Sequence, residues 1–199
     1  LQSKTGLDKS LSIQKYKLYR EINDNKSAIH ELEEVITVFP NDIESIEILC
    51  ELYLLNDEKN KAFKLFKKLS TIDPDNGRAH LTLADYYREN GEQQKSYNEL
   101  KLAFKSKSLT AEIKIKILIS YYQLIEINEE MKLQAYELAD LLIKAHPEDL
   151  TAKIIFADIL YTDQKYKEAK EQYLIVLEND KSQNQVWGQN QVWGQGQFW

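Results

Sequence analysis

The chain is poor in residues that break helices and in most residues that do chemistry. Its 199 residues include only three prolines and six glycines, so long stretches carry no backbone punctuation. A single cysteine, Cys50, excludes an internal disulfide and is silent on compartment. No run reaches the ~18 consecutive apolar residues that a membrane-spanning helix needs. Basic charge is not in excess: 26 Lys and Arg face 32 Asp and Glu, for a net charge of −6. An acidic chain repels phosphate backbones, so nucleic acid is not an expected partner. The glycine-rich signatures of phosphate cradles are missing, and no cofactor is expected. His30, His80 and His146 lie far apart, none with a second ligand at i+4, which argues against a metal site. Acid neighbours such as Glu33-Glu34 and Glu129-Glu130 point about 100° apart on a helix and do not converge as a catalytic pair. Cys50 has no histidine near it in sequence to activate it. No enzyme activity is expected. The chain opens at Leu1 with neither a methionine nor a charged-then-apolar leader, and reads as a fragment or processed product. Any signal peptide or lipid anchor would lie upstream.

What the sequence does have is a period. Tyr19, Tyr53, Tyr87 and Tyr121 are 34 residues apart. Ala28, Ala62 and Ser96 keep the same step, and Ala135 and Ala169 resume it after a slip of five residues. Pro40, Pro74, Ser108, Pro147 and Lys181 form a third ladder with that slip. Three series sharing one period predict a stacked array of helical units. Residues 1–8 read as a linker or cap. The units are 9–42, 43–76, 77–110, a long one at 111–149, and 150–183; a sixth begins at Asn184.

Unit 43–76 shows why each is a helix pair. Ile46, Leu49, Cys50 and Tyr53 fall at i, i+3, i+4 and i+7, one apolar stripe. Asn56-Asp57 interrupts it. Ala62, Phe63, Leu65, Phe66 and Leu69 make a second stripe that ends before Asp73-Pro74, because proline lacks an N–H and restricts its predecessor. Asp75 and Asn76 can cap the next helix. In the third unit Asn90-Gly91 supplies the helix stop. The small-residue ladder predicts a close crossing of the two helices within a unit. The tyrosines fill space between units. In the fourth unit the five extra residues predict longer helices or a bulged loop around Glu126–Lys132.

These residues resemble the tetratricopeptide repeat (TPR), whose unit has 34 residues with large, small and aromatic residues near unit positions 4, 7, 8, 11, 20, 24, 27 and 32. The second unit supplies Ile46, Leu49, Cys50, Tyr53, Ala62, Phe66, Leu69 and Pro74. The third supplies His80, Leu83, Ala84, Tyr87, Ser96, Leu100, Ala103 and Ser108. The fifth supplies Lys153, Phe156, Ala157, Leu160, Ala169, Tyr173, Val176 and Lys181. The first departs in its leading helix, with Ser12, Lys15 and Tyr16 in three of the slots. The resemblance implies an all-α, right-handed superhelical solenoid of antiparallel helix pairs, with about five repeats over residues 9–187. It implies protein or peptide recognition on a concave face built by the first helix of each pair.

Mapped slot by slot, that face carries an acidic row, Glu44, Glu47 and Glu51, with Asp85 and Arg88 beside it. Further along it carries an apolar strip of Leu81, Ile115, Ile119, Tyr122, Ile154 and Tyr161, with Asp158 among them. A protein or peptide segment with a basic end and an apolar body would suit such a groove. The alternative is that the apolar residues pack against neighbouring helices and the acids are ordinary solvated surface. Some proteins of this family clamp an acidic C-terminus with Lys and Asn at unit positions 5 and 9. Here those slots hold Glu47/Glu51, Leu81/Asp85, Ile115/Ile119 and Ile154/Asp158, which excludes that partner.

The terminal QNQVWGQNQVWGQGQFW holds all three tryptophans and no charge. Asn184–Trp187 fits the start of a sixth unit. The remainder reads as an aromatic docking segment or as an artefactual tail.

Composition and the wording of 134–160 are similar to long TPR lipoproteins of Bacteroidetes that serve type IX secretion and gliding. That likeness implies an adaptor in a larger envelope assembly, periplasm-facing at the outer membrane, with the cytoplasm as the alternative. Two other functions stay open: a peptide-sensing regulatory module, and the targeting arm of an enzyme whose catalytic domain lies outside these residues.

Overall fold

A computed structural model describes residues 8–126 and 128–179. The expected sixth unit and the Trp-rich tail lie outside the described residues, as does nearly all of the expected 1–8 linker. The chain divides into two compact units, up to Leu109 and from Thr110 onward.

The first unit is three helix pairs: α1 (Lys9–Glu21) with α2 (Asn25–Val38), α3 (Ile43–Leu55) with α4 (Lys59–Ile72), and α5 (Gly77–Glu89) with α6 (Gln93–Lys105). Each second helix also packs on the first helix of the next pair, α2 on α3 and α4 on α5. The second unit holds α7 (Ala111–Ile119), the short α8 (Tyr122–Ile125), α9 (Glu129–Ala145), α10 (Leu150–Thr162) and α11 (Tyr166–Asn179). There α9 packs on α10, and α10 on α11.

Local chemistry sets where these helices start. Asp8, Asp42, Asn76 and Asp149 cap α1, α3, α5 and α10, each side chain accepting a backbone N–H of the first turn. Asp24 does the same for α2 and Asn128 for α9.

The turns inside the pairs share one design. Asn23, Asp57, Gly91 and Gln164 take φ of 59°, 58°, 77° and 60°. The following N–H then reaches back five residues, from Asp24 to the Tyr19 carbonyl, Glu58 to Tyr53, Glu92 to Tyr87, and Lys165 to Leu160, at 2.8 to 2.9 Å. This is a Schellman closure, which needs a left-handed residue just past the helix. Asn, Asp and Gly tolerate that conformation; glutamine does not do so readily. Gln164→Gly is therefore expected to stabilise the second unit by about 0.5–1 kcal/mol, the left-handed strain outweighing the entropy glycine loses. Equilibrium denaturation checks it.

The fourth pair is different. In the 34-residue register its turn position is Ile125, which is buried. A β-branched residue cannot sit at φ > 0 without a clash, so the tight turn is replaced. The chain breaks earlier than the expected Glu126–Lys132 bulge. The Ser120 hydroxyl bonds the Ile117 carbonyl at 2.6 Å. The backbone N–H groups of Ser120 and Tyr121 reach back only three residues. Side-chain competition of this kind ends helices. The extra length becomes α8 and a longer α9.

The small-residue ladder lies where the sequence reading put the helix crossing. Ala28, Ala62, Ala135 and Ala169 are buried. Ser96 donates its hydroxyl to the Ala84 carbonyl of the paired helix at 2.8 Å, a reach that requires close backbones.

Candidate functional site

On α3 the acidic row is present, and each of its carboxylates has a local partner. Glu44 lies 3.6 Å from the Lys9 ammonium, which also holds Asp42 at 2.6 Å. Glu47 accepts from the Asn76 amide at 2.7 Å, and Glu51 pairs with the Arg78 guanidinium at 2.6 Å. Asp85 pairs with Arg88 at 2.7 Å. Arg78 compensates Glu51 from the next first helix, Glu44 shares the Lys9 ammonium with Asp42, and Glu47 is hydrogen-bonded to a neutral amide, so the row is locally bonded but keeps part of its negative charge. These pairs are partly exposed and contribute little to stability.

Beside this row a groove opens between α3, α4 and α5. Leu54 and Asp85 line it together with Phe63 and Tyr86, whose rings stack at 3.9 Å, and Lys59 and Glu89 pair across its rim at 2.9 Å. The sequence reading places Asp85 on the recognition face. It misses Phe63, Tyr86 and Lys59. Phe63 was read only as part of a helix stripe, and stacking of residues 23 positions apart leaves no periodic signal.

In the second unit the expected apolar strip is uneven. Ile119 and Tyr161 are exposed, with Tyr161 edge-on to Tyr166 at 5.3 Å. Ile154 is half-buried, as is Leu81 in the first unit. Ile115 is buried, so it belongs to the core rather than to a surface strip. The Tyr122 hydroxyl sits 3.5 Å from Asp158, which also accepts from the Tyr173 hydroxyl. Burial pushes the Asp158 carboxyl above its ordinary range, and the two hydroxyls pull it back. Both tyrosine hydroxyls are driven up, first by burial and then by the carboxylate. Asp158 thus organises the pairing of α10 with α8 and α11.

Other reactive groups are also structural. Cys50 is buried and its thiol is pushed up to about 12, chiefly by desolvation, which leaves it without thiolate at neutral pH. His80 is buried, with Nδ1 2.7 Å from Glu99 and Nε2 3.1 Å from the Pro74 carbonyl. His146 at the end of α9 meets the buried Lys114 ammonium at 2.9 Å. Among the described residues no group of three or more His, Cys, Asp or Glu is placed to hold a metal ion. No described helix is long and apolar enough to cross a membrane.

No protein-family model and no curated protein matches the sequence. Solved structures do. A crystal structure of MamA is 19% identical, covering 89% of this chain and 95% of that one, with a TM-score of 0.53. MamA residues 41 to the end from Desulfovibrio magneticus RS-1 are 15% identical over 88% and 96%, with a TM-score of 0.50. YrrB, a TPR protein with an unusual peptide-binding site, is 13% identical over 86% of each chain, at 0.49. At these identities the likeness is one of fold. The chain has the all-α fold of TPR proteins, built from antiparallel helix pairs.

Proposed function

We propose that this chain is a non-catalytic interaction module that holds a protein segment in the groove between α3, α4 and α5. The observation carrying this reading is the groove itself. It offers an exposed aliphatic side chain, Leu54, beside a stacked Phe63–Tyr86 pair, with ionic groups at its rim. Apolar grooves rimmed by polar groups are where peptides dock. The partly compensated acidic row shifts the expected ligand: an apolar anchor matters more than a basic end. Ile119 and Tyr161 of the second unit are further exposed contacts of the same kind.

The assembly served is an envelope or secretion complex on this reading, which rests on the resemblance of residues 134–160 and the composition alone. Fractionation of the source cells tests the compartment separately.

Leu54→Glu puts a charge at the groove mouth and removes no buried contact. We expect unchanged helicity and melting, with capture of the partner from source-cell extract reduced about tenfold or more, as for loss of a single anchor. Equal capture by variant and wild type would take the groove out of the site.

A further inference from the structure

An asparagine followed by glycine is prone to spontaneous deamidation, because glycine puts no side chain in the way of its own backbone nitrogen. The chain has this dipeptide twice, as Asn76-Gly77 and Asn90-Gly91, one at each end of α5. By composition the two are alike. Their surroundings separate them.

At Asn76 the reacting groups are locked. The residue is 7% exposed. Its side-chain carbonyl accepts the Ala79 N–H at 3.0 Å, and its amide donates to Glu47 at 2.7 Å and to Asp73 at 3.2 Å. The Gly77 nitrogen donates to the Ser108 hydroxyl at 3.0 Å, and Gly77 itself lies hard against Leu109 and Ser106. The side chain has no room to swing onto that nitrogen.

At Asn90 they are held more lightly. Asn90 and Gly91 are both exposed, at the tip of the turn between α5 and α6. A Cβ built on Gly91 meets nothing within 4 Å, so solvent reaches its nitrogen. The Asn90 amide donates to the Tyr86 carbonyl at 2.8 Å. The Gly91 N–H donates to the Arg88 carbonyl at 3.0 Å, and the Glu92 N–H to the Tyr87 carbonyl at 2.9 Å. Asn90 has ψ of 6°. Ring closure needs the Asn90 Cβ and the Gly91 nitrogen nearly eclipsed, so ψ must rotate and the turn must open first. Local opening of an exposed turn costs far less than unfolding.

We propose that Asn90 is a site of spontaneous covalent modification, gated by opening of the α5–α6 turn. In the open turn a solvent base takes the Gly91 amide proton and the nitrogen attacks the Asn90 Cγ. The Cγ–Nδ2 bond breaks, and ammonia leaves with a proton from solvent. Water then opens the cyclic imide, at Cγ to give aspartate or at the backbone carbonyl carbon to give isoaspartate. No oxidant is required. Either product puts a carboxylate at the C-terminus of α5, where the helix dipole disfavours it, and removes the donor to the Tyr86 carbonyl. Isoaspartate also routes the backbone through the side chain and lengthens the loop that the Glu92–Tyr87 bond closes. Both changes loosen the end of α5 that carries Tyr86 and Glu89. Any effect on partner capture rests on the groove reading above; the modification does not.

The test is peptide mapping by mass spectrometry after the full chain has stood in warm, mildly alkaline buffer, with fragmentation that tells isoaspartate from aspartate. Conversion is expected at Asn90, mostly to isoaspartate, with Asn76 intact. In denaturing guanidinium both sites should convert, and Asn90 about tenfold faster or more than in the folded chain, since the open turn is a minor state. In the modified fraction, separated by its extra negative charge, the Glu92 amide should exchange hydrogen faster. The Glu58 amide, which closes the equivalent turn on Tyr53, should be unchanged. An intact Asn90 in the folded chain would overturn the proposal, as would equal conversion at Asn76 and Asn90. A rate at Asn90 that denaturant leaves unchanged would overturn the gating, and unaltered Glu92 exchange would overturn the consequence for α5.

Discussion

Gly77→Val should lower the stability of the first unit by about 3 kcal/mol, at the upper end of overpacking costs. Gly77 opens α5 and is buried. A Cβ built there would stand 2.7 Å from the Leu109 Cβ and 2.8 Å from the Ser106 Oγ. Those atoms are not the ends of mobile side chains. They belong to the segment after α6, which folds over the start of α5. Ser108, in the slot where three other units have proline, donates its hydroxyl to the Asp75 carbonyl at 2.9 Å and accepts the Gly77 N–H at 3.0 Å. Ser106 also donates to the Asp75 carbonyl at 2.5 Å. A larger residue at 77 would push this segment away and break these bonds together. Gly77→Ala should show the same effect in smaller measure. Urea denaturation of both variants reads it, and a wild-type midpoint for Gly77→Val would show that the segment gives way freely.

The second large effect is carried by His80. Both ring nitrogens face acceptors, the Glu99 carboxylate and the Pro74 carbonyl. Only the imidazolium donates at both positions. Its pKa is accordingly raised above 6.5, first by the Glu99 bond, with burial opposing. The folded value is above the unfolded one. The stabilising contribution is therefore full below the unfolded pKa, and is lost as pH rises through the folded pKa. His80→Ala should cost about 3 kcal/mol near pH 6, from charge-assisted bonds and a small void. His80→Gln should flatten the decline in melting temperature that wild type shows between mildly acidic and alkaline pH. An NMR titration placing His80 at or below 6.5 would contradict this account.

The helix-pair architecture was legible because side-chain size recurs at a fixed step. Tyr53 and Ala62 each do one packing job, and neither job depends on distant partners. The turn chemistry was half legible. Asp57 and Gly91 announce a left-handed residue; Gln164 does not, and its identity is recovered only from its φ. The break at Ser120 was not legible, because it follows from what Ile125 cannot do. The candidate site was least legible. Glu47 and Glu51 read as free acids in sequence, yet Asn76 and Arg78, about one repeat away, bond them. Ile115 sits in a recognition slot by register and is buried once the fourth pair is rebuilt around its insertion. The Phe63–Tyr86 stack joins helices of different pairs, so one repeat read alone cannot reveal it.

The most direct test of the interaction-module account is site-specific photo-crosslinking in the source cells. A photoreactive phenylalanine analogue would replace Leu54 in the groove or Lys67 on the exposed side of α4. The account predicts one discrete crosslinked partner from position 54, absent from position 67 and diminished by Tyr86→Ala in the same chain, since Tyr86 lines the groove. Crosslinks from 67 with none from 54 would contradict it, because the partner would then bind a surface other than the groove.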